Sequence, residues 1–283
     1  MVISVIIVTY NSDAYIKKCL ESIQKFNDLY EYDLEVIVVD NTLSTSLFLR
    51  KCVSVFKFAK LYKNPVNNGF GGGNNLGASE AKGDILLFLN PDTVLIEPIF
   101  KDVINKFKDP NIGTIGCLLV NESGKRSNSY GYFPEKRDIY SSVFKKLFEL
   151  NNRIYNQENI FPWGANLFVR KADFDRVGKF DSAFFLCHEE ADLCTRLKPL
   201  NVCILDKKII HYEGHSTVQH GHRFDSWLKT LIQYHHKFNY SLNKTLIQYE
   251  KIIFFSILFR IFTGQKWLSL IENFKKIRNA RKG

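Results

Sequence analysis

The stretch VISVIIVTYNS, residues 2–12, decides the fold class of this 283-residue chain. Residues 2–8 form a run of mainly apolar, β-branched side chains, which is typical of a strand buried on both faces. The runs LEVIVV (34–39) and DILLFL (84–89) have the same character, whereas the apolar positions of residues 13–26 recur at helical spacing. Buried strands that alternate with helices over short links predict an α/β fold, a mostly parallel sheet flanked by helices.

Weaker patterns predict the remaining elements. We expect helices at residues 44–57, 74–82, 98–108, 171–177 and 189–198, and strands at 59–63, 113–120, 163–170 and 202–211. Residues 121–160 are polar and aromatic without a clear period, so we treat them as a variable connection with a candidate helix at 138–150.

Polar residues follow each of the three strongest predicted strands. They are Thr9, Tyr10, Asn11 and Ser12 after the first strand, Asp40 and Asn41 after the second, and Asn90-Pro91-Asp92 after the third. Helix capping and turn formation explain any one of these termini but not all three together. Because ligands of parallel α/β sheets bind at the carboxyl ends of the strands, this edge is the predicted binding site.

A glycine-rich run, NNGFGGGNN (67–75), lies between the second and third of these termini. Its glycines would let the backbone approach a ligand closely, and the helix expected to follow would favour a phosphate at its N-terminus. Candidate contacts are Asn68, Gly69 and Asn74. The run matches neither a Walker A loop nor the position of a dinucleotide fingerprint, and by itself it is typical of an ordinary turn.

Charge is concentrated at the C-terminal end of the chain. Residues 251–283 contain eight Lys/Arg and one acid, so they carry +7 of the net charge of +10. A near-neutral body with a basic tail does not indicate a nucleic-acid-binding domain, whose basic residues would extend across the fold. The six cysteines form no CxxC pair, and the N-terminus lacks the features of a signal peptide, so we expect reduced thiols in a cytosolic protein.

The apolar segment 252–262 is 11 residues long and contains Arg260. A transmembrane helix needs about 20 apolar residues, so this segment should not cross a bilayer. Together with the basic residues after it, the segment is typical of an amphipathic helix that lies on an anionic membrane surface. The alternative is a C-terminal helix that packs on the rest of the protein.

Several motifs, in one order along the chain, resemble those of glycosyltransferase family 2. They are VTYNS (8–12), VVDN (38–41), NNGFGGGNN (67–75), FLNPDT (88–93), WGANLFVRK (163–171), FDSAFFLCHEEADLCTR (180–196) and IIHYEGHS (209–216). The resemblance covers about residues 2–216 and is strongest to the rhamnosyltransferase-like branch. It implies a GT-A fold, a nucleotide-sugar donor, a divalent cation and inversion at the anomeric carbon.

The resemblance, together with the different composition of the C-terminal residues, predicts how the chain is organised. A GT-A catalytic domain is expected at residues 1–223, with its nucleotide-binding half at about 1–120 and its acceptor-binding half at about 121–223. A helical, basic C-terminal extension is expected at 224–283.

By this resemblance, Asn90-Pro91-Asp92 corresponds to the DxD motif that holds the metal and the diphosphate. Asp92 is the expected ligand of Mg²⁺ or Mn²⁺, because a carboxylate is a hard oxygen ligand and Asn90 lacks its charge. His211 corresponds to a further metal ligand, although a histidine at a strand end can also be purely structural. Thr9, Asn11 and Asp40 correspond to contacts with the nucleobase and ribose.

The segment HEEAD (188–192) corresponds to the acidic motif of the acceptor side. An inverting transfer needs a general base beside the acceptor hydroxyl, and the alignment assigns this role to Glu190, with Glu189 as the alternative. We assign Asp192 to an ion pair with Arg196 one helical turn later. Trp163 and Gly164 are expected to shape the sugar pocket, where a core role for the tryptophan is the alternative. The segment from His215 to Arg223 is either a lid over the diphosphate or a polar loop.

The expected function is therefore transfer of a sugar from a nucleotide-diphosphate donor to a glycan acceptor in cell-surface polysaccharide biosynthesis. The resemblance favours dTDP-L-rhamnose as donor, with UDP-hexoses and N-acetylhexosamine donors as alternatives, and a polyprenyl-diphosphate-linked acceptor at the cytoplasmic face of a bacterial membrane. Two other classes remain: a non-catalytic nucleotide-sugar or glycan-binding protein, and a sugar-nucleotide pyrophosphorylase. The pyrophosphorylase would require a glycine-rich loop directly after the first strand, where this chain has Thr9-Tyr10-Asn11-Ser12.

Overall fold

The computed structural model describes residues 1–30, 33–138, 156–212 and 220–282. The strands are β1 (Ile3–Thr9), β2 (Leu34–Asp40), β3 (Ala59–Lys63), β4 (Ile85–Leu89), β5 (Thr93–Leu95), β6 (Ile112–Val120), β7 (Tyr130–Tyr132), β8 (Ile160–Pro162), β9 (Asn166–Arg170) and β10 (Asn201–His211). The helices are α1 (Asp13–Phe26), α2 (Leu47–Ser54), α3 (Gly69–Glu80), α4 (Phe100–Lys106), α5 (Lys171–Arg176), α6 (Glu189–Arg196), α7 (His220–Lys237), α8 (Leu242–Phe262) and α9 (Leu268–Lys282). The candidate helix at 138–150 lies outside the described residues, apart from its first residue.

Within the described residues, the strands form one sheet of eight and one separate pair, β7 with β8. The order in the large sheet is β3-β2-β1-β4-β9-β6-β10-β5. Strand β1 pairs in parallel with β2 and with β4. Strand β2 also pairs in parallel with β3, and β6 pairs in parallel with β10. Strand β9 lies antiparallel between β4 and β6, and β5 pairs antiparallel with β10. The prediction of a mostly parallel sheet is confirmed.

Both faces of the first strand are buried, as its apolar run predicts. Every residue from Ile3 to Ile7 is fully buried. On one side, α1 packs through the predicted helical stripe, which includes Ile16, Leu20 and Ile23. Burial of apolar side chains of this size stabilises by about 1.5–3 kcal/mol each, so this layer is a main source of stability.

The glycine-rich run differs from its prediction, because the helix begins at Gly69 and not at residue 74. Helix α3 packs against β1 and β2 so closely that side chains do not fit between them. A Cβ at Gly77 would come within 2.4 Å of Ile6, and one at Gly73 within 2.8 Å of Val8. The glycines therefore serve helix–sheet packing within the protein.

The described chain divides into two compact units. Unit 1 comprises Met1–Gly131 and Phe161–Thr217, and unit 2 comprises Tyr132–Ile160 and Val218–Gly283. Residues 132–160, the first part of unit 2, were expected within the acceptor-binding half. The second part of unit 2 begins at residue 218, whereas the expected catalytic domain ends at residue 223.

Unit 2 has a small core of its own, formed by α7, α8 and α9. Its buried apolar residues are Leu231, Leu246, Tyr249, Ile252 and Ile277. The beginning of the apolar segment 252–262 thus packs inside the protein. Its later part is exposed, with Phe254 at 50% and Phe262 at 87% of full exposure. Among the described residues, no helix has the length and apolar character needed to cross a membrane.

Candidate active site

The polar strand ends of unit 1 lie in one row, as predicted for a parallel sheet. Thr9 at the end of β1 is in register with Asp40 at the end of β2, and Asp40 is in register with Lys63 at the end of β3. A cavity of about 160 Å³ lies at this edge. Its lining residues include Thr9, Asn11, Asp40, Thr42 and Ser46. Thr9, Asn11 and Asp40 were predicted to contact the nucleotide, and the structure brings them together.

Asp40 is fully buried and is surrounded by hydrogen-bond donors. Its Oδ1 accepts hydrogen bonds from the backbone N–H of Thr42 (3.0 Å) and from the Thr42 hydroxyl (2.5 Å), and its Oδ2 accepts from the Thr45 hydroxyl and from Lys63 Nζ (3.3 Å). Burial alone would raise the pKa of Asp40, but these hydrogen bonds favour the ionised form and lower the pKa overall. The cavity therefore contains a carboxylate at neutral pH.

Several predicted nucleotide contacts form hydrogen bonds within the protein, at or near the start of α3. Asn64 Nδ2 donates to Asn41 Oδ1 (2.8 Å) and to Asn68 Oδ1 (2.8 Å), and Asn41 Nδ2 donates to the carbonyl of Gly69 (3.0 Å). Asn74 Nδ2 donates to the carbonyl of Phe70 (3.0 Å). The bonds of Asn64 and Asn41 hold the start of α3 to the end of β2, whereas the bond of Asn74 lies within α3. Contact of Asn41, Asn68, Gly69 or Asn74 with a nucleotide stays a prediction.

The start of α3 is also occupied by protein groups. The backbone N–H of Phe70 donates to the carbonyl of Phe185 (3.1 Å), and the N–H of Gly69 donates to Asn67 Oδ1 (3.1 Å). A Cβ at Gly69 would come within 2.0 Å of the Phe185 oxygen. Two of the first four N–H groups of the helix thus already have acceptors within the protein, and phosphate binding at this helix end stays a prediction.

Pairing between β5 and β10 brings the predicted metal ligands together. His211 is in register with Thr93, and its Nε2 lies 3.4 Å from Asp92 Oδ1. Asn90 Nδ2 lies 3.5 Å from the same nitrogen. Asp92 and His211 are 17% and 14% exposed, so both can be reached by a ligand. The remaining predicted contact, Tyr10, is 48% exposed at the end of β1.

A carboxylate beside an imidazole suits a divalent cation such as Mn²⁺, which accepts mixed oxygen and nitrogen ligands. Among the described residues, no group of three or more His, Cys, Asp or Glu is arranged to hold a metal ion. Two protein ligands nevertheless fit a cation that is shared with a substrate diphosphate, because such ions keep several positions for phosphate and water.

The acidic motif lies at the start of α6, directly after two left-handed residues. Cys187 has φ 74° and His188 has φ 66°, and neither is glycine. Such conformations cost of order 1–3 kcal/mol each, and they persist where the surrounding structure imposes them. Two contacts with α3 hold the segment that leads into α6. Asn75 exchanges two hydrogen bonds with the backbone of Phe180 (2.8 and 3.0 Å), and the carbonyl of Phe185 accepts a hydrogen bond from the start of α3.

Glu190 is held by the backbone of Gly164. The Gly164 N–H donates to Glu190 Oε1 at 2.9 Å, and a Cβ at Gly164 would come within 2.5 Å of that oxygen. A larger residue at position 164 would therefore have to displace the Glu190 carboxylate from this position. Burial raises the pKa of Glu190, and the hydrogen bond from Gly164 offsets part of that rise.

Glu189 has different surroundings from its neighbour. Its side chain is 3% exposed, and within the described residues its Oε2 has no hydrogen-bond partner. Burial and the negative charge of Glu190 raise its pKa well above the usual value. Of the two carboxyl groups, Glu189 therefore has the stronger tendency to keep its proton. Asp192 pairs with Arg196 (Nε to Oδ2, 2.9 Å), which confirms that prediction.

Trp163 precedes Gly164 and is 39% exposed, so it is not a fully buried core residue. The segment 213–219, which contains most of the predicted lid, lies outside the described residues, and residues 220–223 belong to the first turn of α7.

Comparison with known proteins tests the predicted family and fold. The family described as glycosyl transferase family 2 matches residues 4–178, more than half of the chain. The chain belongs to glycosyl transferase family 2. The predicted family is confirmed, and the relatives below bear out its rhamnosyltransferase-like character.

Two relatives are similar over most of their length. Rhamnosyltransferase WbbL of Escherichia coli (strain K12) is 27% identical over 250 residues, which is 81% of this chain and 91% of the relative. The N-acetylglucosaminyl-diphospho-decaprenol L-rhamnosyltransferase of Mycobacterium tuberculosis (strain ATCC 25618 / H37Rv) is 26% identical over 245 residues, 76% of this chain and 78% of the relative.

Solved structures share the fold. The mannosyltransferase PcManGT from Pyrobaculum calidifontis, in complex with GDP-Man and Mn²⁺, superposes with a TM-score of 0.60 at 18% identity. The match covers 83% of this chain but 63% of that protein, less than two thirds of its length. Such low identity shows the fold alone, and the predicted GT-A fold is confirmed.

Sequence reasoning missed two groups of residues at this site. Lys63, Thr42 and Thr45 surround Asp40, and Asn64 and Asn75 fix α3 to its neighbours. The sequence did indicate a position for Lys63, since it ends a predicted strand beside the strand that ends in Asp40. No sequence pattern indicated the contacts of Asn64 and Asn75, because their partners are distant in the chain or lie in irregular segments.

Proposed function

We propose that this protein is an inverting, metal-dependent glycosyltransferase, with Glu190 as its general base. The observation that supports the proposal best is the carboxylate of Glu190, which the Gly164 N–H holds through Oε1 at 2.9 Å. This hydrogen bond fixes one carboxylate oxygen, Oε1, and in the proposal the other oxygen, Oε2, accepts the proton.

In the proposed reaction the acceptor hydroxyl gives its proton to Glu190 Oε2. The hydroxyl oxygen forms a bond to the anomeric carbon of the donor sugar while the bond from that carbon to the diphosphate oxygen breaks. The nucleoside diphosphate leaves with the electron pair, and attack from the opposite face inverts the anomeric configuration. General-base assistance of this kind contributes about 10²–10⁴-fold to the rate.

Asp92 and His211 are the proposed metal ligands, with Asn90 beside them as a neutral polar group. A cation bound there would neutralise the charge that develops on the leaving diphosphate. Support comes from the 3.4 Å approach of the two side chains across β5 and β10. The PcManGT complex contains Mn²⁺, so manganese is the first metal to test.

For the donor we favour dTDP-L-rhamnose, and for the acceptor a glycan carried on a polyprenyl diphosphate. Support comes from the names of the two relatives, both rhamnosyltransferases, one of which acts on a decaprenol-linked sugar. UDP-hexoses are the alternative donors. Trp163 and Gly164 would shape the sugar pocket, and the partly exposed indole offers an apolar face of the kind on which sugar rings can pack.

We also propose that the protein contacts the cytoplasmic face of a bacterial plasma membrane through unit 2. The later part of α8 exposes a group of apolar side chains, Phe254, Phe255, Phe259, Ile261 and Phe262. Basic residues at Lys251, Lys266, Lys275 and Arg278 belong to the same part of the chain. Apolar side chains that insert between lipids, together with cations that attract anionic headgroups, are the two components of reversible interfacial binding.

The deciding experiment combines metal removal with a variant of Asp92. Transfer from dTDP-rhamnose and donor hydrolysis should both require Mn²⁺ or Mg²⁺, and Asp92→Ala should abolish both while the melting curve stays unchanged. Asp102→Ala is a matched control, because Asp102 is 49% exposed and forms a surface ion pair with Lys207, which contributes little.

Full activity in EDTA would overturn the metal assignment. Donor binding without hydrolysis or transfer to any acceptor would instead favour the non-catalytic binding protein.

A further inference from the structure

The ladder between β6 and β9 ends before the active site, and a side chain continues it. The last pair toward the site is Ile115 with Phe168, and two residues farther along this register Cys117 would lie opposite Asn166. There the Asn166 amide oxygen accepts the Cys117 N–H (2.5 Å), and its amide nitrogen donates to the Cys117 carbonyl (3.4 Å). The carboxamide thus takes the place of a peptide group in an antiparallel ladder, where paired residues exchange both hydrogen bonds.

These contacts lie in the interior of unit 1. Asn166 and Cys117 are both fully buried, so loss of the amide would deprive two buried backbone groups of their partners. A second buried polar side chain, Ser129, does the same farther along β6, where its Oγ accepts the N–H of Leu119 (2.8 Å). Polar side chains therefore cover this side of β6 beyond the end of the ladder.

The turn at residues 163–166 is attached to both of these side-chain contacts. The Asn166 N–H donates to the Trp163 carbonyl (3.0 Å), which closes the turn, and the Trp163 N–H donates to the Ser129 carbonyl (3.4 Å). Gly164 lies inside the turn, and its N–H holds Glu190 Oε1 at 2.9 Å. The direction of a backbone N–H is set by the backbone around it, so the aim of this N–H depends on how the ends of the turn are held.

We propose that Asn166 is a positioning residue for the general base: its amide fixes the turn 163–166 to β6 and so holds the Gly164 N–H against Glu190. This role rests on the proposed function, in which Glu190 is the base. Asn166 itself takes no part in the transfer. A hydrogen bond to the ionised form of a carboxyl favours that form, so a displaced Gly164 N–H would leave Glu190 both misaligned and harder to ionise.

Asn166→Leu tests this role, because it keeps a side chain of similar size and removes both hydrogen bonds to Cys117. We expect kcat at high pH to fall at least about tenfold, since small displacements of catalytic groups have effects of this size or larger. The donor KM should change little. The acidic limb of the kcat profile should move up by about one pH unit, the size expected when a charged group loses a hydrogen bond.

Leu167→Ala is the matched control. Leu167 is the next residue of β9 and is fully buried, so this variant lowers the melting temperature but leaves the Asn166 amide in place. Its acidic limb should stay where it is in the unmodified protein. The double variant with Glu190→Gln gives a further readout: Asn166→Leu should lower kcat no further in that background, because no base remains to be positioned.

Two results would overturn this role while the proposed function stands. Glu190→Gln could be inactive while Asn166→Leu leaves the acidic limb in place, or the rate losses of the two variants could multiply. Either result would limit Asn166 to the stability of the fold. If Asn166→Leu does not fold, Asn166→Thr, a smaller change that suits a strand, decides by the same shift of the limb. If Glu190→Gln keeps the unmodified rate, the proposed base itself fails.

Discussion

At the residue scale, two adjacent carboxyl groups have opposite environments. Glu190 has a hydrogen bond from the Gly164 backbone, whereas Glu189 is nearly inaccessible and its Oε2 has no partner among the described residues. Negative charges so close together repel each other, and the charge of Glu190 contributes to the raised pKa of Glu189. The hydrogen bond from Gly164 lowers the pKa of Glu190 relative to burial alone, which favours Glu190 as the group that ionises, and a general base must be ionised to act.

Substitution of each glutamate by glutamine should separate their roles. We expect Glu190→Gln to lower kcat by about 10²–10⁴-fold, because the variant keeps the shape but cannot accept a proton. Glu189→Gln should remain within a small factor of the unmodified rate, since a neutral amide replaces a carboxyl that is already neutral. Steady-state kinetics with saturating donor measures both, and the reverse pattern would make Glu189 the base.

The pH dependence of kcat should report the raised pKa of Glu190. Below that pKa the base is protonated, so the rate falls as pH decreases through it. The acidic limb should therefore lie above about 4.3, the ordinary pKa of glutamate. Glu189→Gln should leave this limb in place. A limb at or below the ordinary value would contradict the assignment of a buried glutamate as the base.

At the scale of elements, α3 shows why a glycine-rich sequence forms a helix here. Glycine is unfavourable in a helix by about 1 kcal/mol relative to alanine, so the local sequence disfavours this one. The close approach of α3 to β1 compensates, because Gly73 and Gly77 leave room for Val8 and Ile6. Helix α3 in turn holds the segment before the acidic motif through Asn75 and Phe70. Packing of this helix therefore positions the proposed base.

Gly77→Ala tests this account by a change of one methyl group. Helix propensity alone would stabilise the variant by about 1 kcal/mol, but overpacking costs about 1–3 kcal/mol. Because the new Cβ would lie only 2.4 Å from Ile6, we expect the free energy of unfolding to fall by about 1–2 kcal/mol.

Ser79→Ala on the exposed face of the same helix is the control and should be neutral or slightly stabilising. Denaturant titration of both variants gives the comparison. A more stable Gly77→Ala would show that α3 can move away from the sheet.

At the scale of the whole molecule, the C-terminal residues combine two structural features. Their helices form the core of unit 2, as the packing alternative predicts, and the later part of α8 exposes the apolar group expected for membrane contact. Some of the basic residues are already engaged: Lys276 pairs with Asp225 (2.7 Å), and Arg281 pairs with Glu250 (3.2 Å). Lipid attraction would therefore depend chiefly on the other cations, at about 1 kcal/mol each.

Removal of the whole tail would delete core residues such as Ile252 and Ile277, so point variants give a cleaner test. We expect the triple variant Phe255→Ser, Phe259→Ser, Phe262→Ser to lose binding to anionic vesicles and to keep its melting temperature and donor hydrolysis. Binding of the unmodified protein should weaken at high salt, because cations contribute to it.

The matched control is Val55→Ser with Val66→Ser, since both valines are exposed apolar residues of unit 1. Co-sedimentation with vesicles at low and high salt is the measurement. If the unmodified protein does not sediment with them, the membrane proposal is wrong.

The sequence alone determined the features that depend on local patterns. Apolar runs predicted the buried strands, helical spacing predicted α1, and polar residues after β1, β2 and β4 predicted the site at the sheet edge. The ordered motifs identified the family. These signals are local because burial on two faces, or on one stripe, is visible within a few residues of the chain.

Only the tertiary structure decided which distant residues meet. Asp92 approaches His211 because β5 pairs with β10, and Gly164 holds Glu190 because β9 inserts antiparallel between β4 and β6. Likewise Lys63 became part of the site through the register of β3 with β2. Strand order and register depend on pairing between segments far apart in the chain, and no local periodicity records them.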